Sequence, residues 1–172
     1  PVIEFIKGKT LEKTDLSHFT KTEIFEIILQ MFLVIHYLHN KHFIYRDLKT
    51  DNVMIDENKI FVLIDFDRMV KNDYIYDKNY ETADFTSYSA PEINSNELSD
   101  KCDIYSIGKM IDFVMNKSKL VIVNDEIEQL FQMYILCIND FPELRPTSSE
   151  LIKHFLVFII VNNIVNINKS IH

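Results

Sequence analysis

The stretch that most constrains the fold is residues 44–67, IYRDLKTDNVMIDENKIFVLIDFD, in which charged residues interrupt short apolar runs. Two of these runs, residues 53–55 and 60–64, are rich in β-branched and aromatic residues, and the turn-forming sequence DEN at residues 56–58 separates them. This pattern predicts a β-hairpin. Several carboxylates then lie at the ends of strands that must be buried, and they require an explanation.

A long helix is predicted directly before this stretch. The sequence TKTE at residues 20–23 has the form of a capping box. Apolar residues follow at spacings of three and four as far as Asn40: Ile24, Ile27, Ile28, Met31, Ile35 and Leu38. Further upstream, residues 2–6 have strand character, which GKTL at residues 8–11 is expected to break.

The second half of the chain is predicted to be helical. Dense apolar patterns cover residues 101–115, 126–137 and 148–160, the last after the sequence RPTS. Between the hairpin and these helices, residues 71–89 are polar and tyrosine-rich, which favours a long functional surface loop. The expected fold class is α+β, mainly α.

Composition narrows the class of protein further. With 172 residues, of which 47% are hydrophobic, the chain can form one globular domain. The net charge of −8 argues against a nucleic-acid partner. No signal peptide is visible, and the longest apolar run near the end, residues 155–161, is too short to span ~30 Å of hydrocarbon. Two cysteines without metal spacing favour reduced thiols and a cytoplasmic, intracellular location.

The charges of the opening stretch suggest phosphoryl-transfer chemistry. Asp47, Lys49 and Asn52 lie within six positions, and Asp65 follows the second predicted strand, so the hairpin can bring all four together. Asn and Asp side chains supply the hard oxygen ligands that Mg²⁺ prefers. A lysine can neutralise phosphate charge, and a free carboxylate can orient a hydroxyl nucleophile. The alternative is a solvated charged loop before an ordinary hairpin.

Several motifs in a fixed order favour the first interpretation. The sequences YRDLKTDN, DFD and APE, the last at residues 90–92, resemble the C-terminal lobe of the eukaryotic protein kinases, and the resemblance covers residues 2–154. It implies a fold like that lobe, with small β-hairpins, and transfer of the ATP γ-phosphate to Ser or Thr of protein substrates. It also implies that Asp47 is the catalytic base, that Lys49 neutralises phosphate charge, and that Asn52 and Asp65 bind Mg²⁺.

The first residues resemble the hinge between the two kinase lobes. The sequence VIEFIKGKTL would then line the adenine pocket. The resemblance implies ATP contacts from backbone groups of Glu4 and Ile6, from Thr10 near the ribose, and from Met54 as an apolar floor.

Further resemblances concern support of the site. Glu92 of APE and Arg145 of ELRP resemble a buried ion pair, and Asp103 in DIYSIG resembles the aspartate that fixes the backbone of the catalytic loop. Gly108 is expected to permit close helix packing. Three histidines near the end of the long helix have no paired ligand spacing and are expected to be ordinary core or surface residues: His36, His39 and His42.

The loop before APE resembles an activation segment. Thr86 in TSYSAPE is expected to contact Asp47 and Lys49, with Tyr88 beside it. Arg46 is expected to pair with a phosphorylated residue of the preceding loop, for which the candidates are Tyr80, Thr82 and Ser87.

Departures from the family pattern keep a second function open. The chain begins at the hinge, so we expect residues 1–158 to form the C-terminal lobe, followed by a tail at 159–172, and to need a missing N-terminal lobe as partner. Alone, the fragment is expected not to phosphorylate substrates. Asp67 replaces the glycine of DFG, which tolerates a positive φ that aspartate only sometimes adopts, so a backbone conflict is expected there. Tyr45 replaces the usual histidine. The alternative is a truncated kinase or pseudokinase that acts as a non-catalytic interaction module. A metal-dependent hydrolase would leave APE, DIYSIG and ELRP unexplained.

Overall fold

The computed structural model describes residues 5–72, 85–94, 98–120 and 124–162. These ranges contain four helices, which are α1 Lys21–Asn40, α2 Lys101–Ser118, α3 Asn124–Cys137 and α4 Ser148–Val161. They also contain five short strands, which are β1 Gly8–Thr10, β2 Phe43–Ile44, β3 Val53–Asp56, β4 Phe61–Leu63 and β5 Val70–Lys71. A mainly helical domain with small antiparallel sheets agrees with the predicted fold class.

Helix α1 is the centre of the core. It begins with the predicted capping box, because the Thr20 side chain accepts a hydrogen bond from the N–H of Glu23 and the Glu23 carboxylate accepts one from the N–H of Thr20. Its apolar face packs antiparallel to α4 through edge-to-face aromatic pairs. The ring centroids of Phe25 and Phe158 are 5.3 Å apart, and those of Phe32 and Phe155 are 5.1 Å apart.

Among the described helices, α1 is also the one whose length and composition would allow it to cross a membrane. Its residues Ile24, Phe25, Ile28, Phe32 and Ile35 are completely buried inside this domain. The central helix of a folded core satisfies the same criteria, so this resemblance to a membrane span is weak evidence.

The predicted hairpin forms, and it belongs to a three-stranded sheet of order β1-β3-β4. Val53 pairs with Leu63 and Ile55 with Phe61, and all four side chains are buried against the core. The other face of the sheet is only partly covered, since its side chains alternate with the buried ones; it contains Thr10, Met54 and Val62. The sheet therefore has one core face and one accessible face.

The prediction that GKTL would break a strand was wrong. Residues 8–10 form β1, whereas Phe5 and Ile6 are not in a strand and the rest of residues 2–6 lies outside the described ranges. The reason is a close approach of two backbones, at which a Cβ on Gly8 would lie 2.3 Å from the carbonyl oxygen of Ile55. The glycine marks strand pairing rather than a turn.

A second small sheet brings the charged segments together. Ile44 of β2 pairs with Val70 of β5, and Phe43 pairs with Lys71. The pairing of β2 with β5 places the loop after β2 next to the loop between β4 and β5. These two loops carry Asp47 and Asp65.

Helices α2 and α3 pack closely at a glycine, as predicted. A Cβ on Gly108 would lie 2.7 Å from Ile138 Cγ2 and 2.8 Å from Cys137 Cβ. Helix α2 ends at Ser118 and α3 begins at Asn124, so only residues 119–123 connect them. A connection this short has little room for a further helix.

Candidate functional site

The loop between β2 and β3 gathers two predicted site residues, Lys49 and Asn52, around the carboxylate of a third, Asp47. Lys49 Nζ lies 2.8 Å from Asp47 Oδ2 and 3.0 Å from Oδ1. The Asn52 amide donates hydrogen bonds to Asp47 Oδ2 at 2.7 Å and to the Asp47 backbone carbonyl at 3.0 Å. The Asp47 side chain is 10% exposed and that of Lys49 is 26% exposed, so both groups remain accessible from the surface. The structure places an oriented carboxylate and a cation side by side.

A buried aspartate of α2 holds the start of this loop. The Asp103 carboxylate accepts hydrogen bonds from the backbone N–H groups of Tyr45 and Arg46, each at 2.8 Å, and it is completely buried. Arg46 has a φ of 71°, an unusual conformation for a residue with a side chain. Two charge-assisted hydrogen bonds stabilise that conformation. The position agrees with the role that the resemblance implied for Asp103.

His39 joins the same network, which the sequence did not indicate. Its Nε2 lies 3.0 Å from Asp103 Oδ2, and its side chain is 5% exposed. The expectation of an ordinary core or surface histidine missed this contact because 64 residues separate the two partners. His39 is therefore a support of the loop backbone.

Tyr45 connects the loop to the DFD segment. Its hydroxyl donates a hydrogen bond to the carbonyl of Ile64, and its ring packs edge-on against Phe66 with centroids 5.7 Å apart. Burial raises the pKa of Tyr45 well above its usual value, with further contributions from the charges of Asp47, Asp65 and Asp103. The hydroxyl therefore stays protonated and remains a donor. In this chain the tyrosine performs a bridging role at the position of the usual histidine.

Asp65 lies beside Asn52 because the backbones of the two loops are bonded. The N–H of Ile64 donates to the carbonyl of Asn52 at 2.9 Å. The Asp65 side chain is exposed, and its Oδ1 accepts a hydrogen bond from the N–H of Asp67 at 3.4 Å. Of the two aspartates, Asp65 has the positive φ, at 62°, and Asp67 does not. The expected conflict between Asp67 and a glycine-type backbone is therefore not found in this structure.

Asn52 and Asp65 carry oxygen donors of the kind that a magnesium ion would use. Both N–H donors of the Asn52 amide point toward Asp47, which leaves its oxygen, the one atom of this side chain that a cation can bind. Within the described ranges no group of three or more His, Cys, Asp or Glu could hold a metal ion. Mg²⁺ commonly uses one or two protein ligands and takes the others from water and substrate phosphates, so two ligands suffice.

Two of the four predicted nucleotide contacts, Thr10 and Met54, lie on the accessible face of the sheet. Thr10 and Met54 are cross-strand partners there, and both are half-buried. The hydroxyl of Thr10 is buried without a hydrogen-bond partner among the described residues. Ile6 precedes this strand and is half-buried, whereas Glu4 lies outside the described ranges.

The segment before APE contacts the catalytic loop through a different residue from the one predicted. Thr86 bonds within its own turn, since its N–H and its hydroxyl both lie within 3.1 Å of Ser89 Oγ. The expected contacts with Asp47 and Lys49 are therefore absent for this described residue. Tyr88 makes the link instead, with its hydroxyl 3.3 Å from Thr50 Oγ1. The candidates Tyr80 and Thr82 lie outside the described ranges.

The predicted ion pair behind this segment is present. Arg145 Nη1 and Nη2 lie 2.5 and 2.9 Å from the two carboxylate oxygens of Glu92. Arg145 also donates to the carbonyls of Asn139 at 2.7 Å and Lys101 at 2.9 Å, and its side chain is completely buried. The pair ties the end of the activation-like segment to the helical core.

Comparison with known proteins gives a family match over most of the chain. The sequence model of the protein kinase domain matches residues 2–164. The serine/threonine-protein kinase shk2 of Schizosaccharomyces pombe is 28% identical over 159 residues, which cover 90% of this chain and 26% of that protein. The serine/threonine-protein kinase CLA4 of Saccharomyces cerevisiae is 29% identical over 170 residues, covering 90% of this chain and 20% of that protein.

A viral relative is closer to this chain in length. The putative serine/threonine-protein kinase R436 of Acanthamoeba polyphaga mimivirus is 28% identical over 191 residues, covering 95% of this chain and 68% of that protein. This chain thus spans about a quarter or a fifth of the two yeast relatives and about two thirds of the viral one.

Proposed function

Because this chain belongs to the protein kinase family, we propose that it forms the C-terminal catalytic lobe of a serine/threonine protein kinase. The lobe transfers the γ-phosphate of ATP to protein substrates once an N-terminal lobe completes the site. The observation that carries the proposal is the hydrogen-bonded group of Asp47, Lys49 and Asn52. The buried Asp103 carboxylate fixes the backbone at the start of the loop that carries this group. A solvated loop would not need a buried carboxylate to fix its backbone.

Each residue of the group has a distinct task in this proposal. The Asp47 carboxylate orients the substrate hydroxyl and accepts its proton. The Asn52 amide holds that carboxylate in place. Lys49 Nζ, at 2.8 Å from Asp47, is placed to neutralise negative charge on the transferred phosphoryl group. Positioning and electrostatic stabilisation are the main contributions that a protein makes to this reaction.

The remaining predicted residues bind ATP and its metal. Asn52 and Asp65 hold Mg²⁺, which supplies positive charge to the phosphates when bound. The accessible face of the sheet, with Thr10 and Met54, contacts the nucleoside, together with backbone groups of Glu4 and Ile6. Thr10 and Met54 support this assignment as half-buried cross-strand partners on that face.

The partner in this proposal is an N-terminal kinase lobe. The family requires a phosphate-binding lysine paired with a helix glutamate, in addition to the metal-binding aspartate. We therefore propose that these 172 residues alone do not catalyse transfer at a useful rate. The two buried free cysteines favour a reducing, cytoplasmic location.

The test uses this chain together with an N-terminal kinase lobe, called here the two-lobed protein. Transfer of phosphate from ATP to Ser/Thr peptide libraries should occur with Mg²⁺ and fall at least 100-fold in Asp47→Asn. The matched control is Asp140→Asn, the same substitution at an exposed site. Transfer by the two-lobed protein that does not depend on Asp47, or Asp47-dependent transfer by the 172 residues alone, would contradict the proposal.

The alternative is a non-catalytic interaction module. The observation that favours it is Asp67, which adds a second carboxylate next to the proposed metal ligand Asp65. If the two-lobed protein shows no Mg²⁺-dependent ATP binding by calorimetry, this alternative replaces the catalytic function.

A further inference from the structure

The end of helix α4 carries an apolar run that the fold buries only in part. The run is residues 155–161, FLVFIIV, and it contains no polar side chain. Three of its residues lie in the core, which are Phe155, Phe158 and Ile159, and four are exposed, which are Leu156, Val157, Ile160 and Val161. Isolated exposed apolar residues are common, but a contiguous group of them is typical of an interaction surface. The proposed kinase function does not use this run.

The exposed residues of α4 divide between two sides of the antiparallel α1/α4 pair. Phe32 of α1 faces Phe155 of α4, with ring centroids 5.1 Å apart. In an antiparallel pair of helices, the residues that follow two facing residues turn to the same side of the pair. Leu33 and Leu156 therefore lie on one common side, one on each helix.

Helical spacing extends this side along both helices. Leu29 lies one turn before Leu33, while Ile152 and Ile160 lie one turn before and one turn after Leu156. Leu29 and Ile152 are half-buried and pack against the core. Leu33, Leu156 and Ile160 are 47%, 41% and 56% exposed. These five residues are called here the α1/α4 face.

The chemistry of the α1/α4 face favours a second copy of the chain as its partner. Two antiparallel helices with a shared apolar side have the form of half a four-helix bundle, and a second such pair completes it. About a two-fold axis parallel to the helices, α1 of each copy lies over α4 of the other, so every helix has antiparallel neighbours. Leu29 then meets Leu156 of the second copy, and Leu33 meets its Ile152.

The charges beside the face are complementary in this arrangement. The exposed residue Glu26 is one turn before Leu29 on α1, and the exposed residue Lys153 is on α4 beside Ile152. Because α1 lies over α4 of the second copy, Glu26 of one copy approaches the helix that carries Lys153 of the other. A lipid surface fits less well, since the chain has a net charge of −8 and anionic headgroups would repel it.

The size of the face indicates a weak dimer. Helix α4 has 14 residues, so the face is ~21 Å long, and two adjacent helices are ~20 Å wide. The projected area is then ~400 Å², near the lower limit of specific interfaces, which bury about 600 Å² of accessible surface per partner. Accessible surface exceeds projected area where side chains interdigitate, so the face is large enough for a reversible association.

From these observations we propose that the α1/α4 face binds a second copy of this chain and forms a reversible dimer, with α1 of each copy packed on α4 of the other. The inference uses none of the proposed site residues and does not depend on the proposed kinase function. The first experiment is sedimentation velocity of the 172-residue chain over a range of micromolar concentrations. The mean mass should rise from that of a monomer toward that of a dimer.

Substitutions in the face test its role. Leu33→Glu and Leu156→Glu should each raise the dissociation constant of the dimer at least tenfold, because each places a charge in an apolar contact. The matched control is Val157→Glu, at an exposed aliphatic residue of the same helix that points away from α1. This control should leave the dissociation constant within twofold. Circular dichroism measures the fold of each variant, and Leu156→Ser, with an expected loss of at least threefold, replaces a charged variant that unfolds.

Mixing two variants tests which helices meet. A chain with Leu33→Glu and a chain with Leu156→Lys should form a heterodimer at least tenfold tighter than either homodimer. The reason is that a two-fold dimer contains each contact twice, and only the heterodimer brings a new acid of α1 near a new base of α4. No preference for the heterodimer would overturn the proposed packing of α1 on α4.

Other results would overturn the dimer itself. The first is a monomer at every concentration, and the second is a dimer that Val157→Glu weakens as much as Leu156→Glu does. A chain that dimerises only after deletion of residues 163–172 would show that this segment is the occupant of the face. Binding to phosphatidylcholine vesicles that Leu156→Glu abolishes, in a chain that stays monomeric, would identify a lipid surface as the partner instead.

Discussion

Both terminal nitrogens of Arg145 donate hydrogen bonds to the Glu92 carboxylate, Nη1 to Oε1 at 2.5 Å and Nη2 to Oε2 at 2.9 Å. The two residues are 53 positions apart in the sequence. Arg145 donates two further hydrogen bonds to backbone carbonyls, so four of its five N–H donors are engaged. Because the arginine side chain is completely buried, the Glu92 carboxylate serves as the counter-charge of its guanidinium. The contact links the APE segment to the loop before α4.

Breaking this pair should strongly destabilise the domain. Glu92→Gln leaves a buried guanidinium without its counter-charge, which typically costs ~3–5 kcal/mol of unfolding free energy. Urea unfolding followed by circular dichroism measures the loss. Arg145→Lys keeps the charge but lacks the planar fork, so it should also destabilise the domain. A loss below ~1 kcal/mol in Glu92→Gln would show that the pair behaves as a surface contact.

The Asp103 carboxylate should control the order of the catalytic loop. In Asp103→Asn, one acceptor oxygen is replaced by a donor, so at least one of the N–H groups of Tyr45 and Arg46 loses its partner. Hydrogen exchange of these two amides should accelerate at least tenfold, and transfer by the two-lobed protein should fall. The control is Asp100→Asn, whose carboxylate is one-third exposed and 3.8 Å from His39. Unchanged hydrogen exchange of the two amides in Asp103→Asn would show that the loop keeps its conformation without the Asp103 carboxylate.

The buried thiol of Cys137 should make the domain less stable in alkali. Burial raises the pKa of Cys137 from 9.0 to about 12, with a small opposing effect of Arg145. The unfolded chain therefore loses this proton first as the pH rises above 9, and unfolding is favoured until the folded thiol also ionises. The stability that the neutral thiol contributes is complete below pH 9 and is lost toward about pH 12.

The measurement is the unfolding free energy against pH for the unaltered chain and for Cys137→Ala. Removing the thiol should lessen the slope above pH 9 by up to about 1.4 kcal/mol per pH unit. The cavity left by the sulfur lowers stability equally at every pH, so it does not affect the slope. Parallel curves for the two proteins would contradict the prediction.

Local signals predicted the helices and the hairpin well. The capping box predicted at Thr20 marks the true start of α1. The sequence RPTS directly precedes the start of α4, where the structure shows a second capping box at Thr147. The strand at Gly8–Thr10 was missed, since its only evidence is pairing with β3. A glycine signals a turn or a close approach equally well from sequence alone.

The site shows the same division between local and distant contacts. Asp47, Lys49 and Asn52 are neighbours in sequence, so the motif was sufficient to predict that they meet. The contacts of His39 with Asp103 and of Tyr88 with Thr50 cross 64 and 38 residues, and no spacing rule indicates them. The sequence also suggested a positive φ at Asp67, whereas in the structure Asp65 has the positive φ.

That relocation leads to a prediction about the DFD segment. Because φ at Asp67 is not positive, Asp67→Gly relieves no strain and adds freedom to the unfolded chain, which should lower stability by ~0.5–1 kcal/mol. Transfer by the two-lobed protein should stay within about threefold. The matched variant is Asp65→Gly, which removes a side chain from a φ of 62° and should leave stability unchanged or raise it by up to ~1 kcal/mol.

The two variants should therefore separate stability from activity. Asp65→Gly deletes the proposed metal ligand, so Mg²⁺-dependent transfer should be lost in a protein that is no less stable. Asp67→Gly should keep transfer in a protein that is slightly less stable. Thermal unfolding and phosphate transfer are measured on the same preparations. The opposite outcome is that Asp67→Gly raises stability and also raises transfer tenfold or more. That result would show that the Asp67 carboxylate weakens the metal site, which would give the non-catalytic alternative a physical explanation.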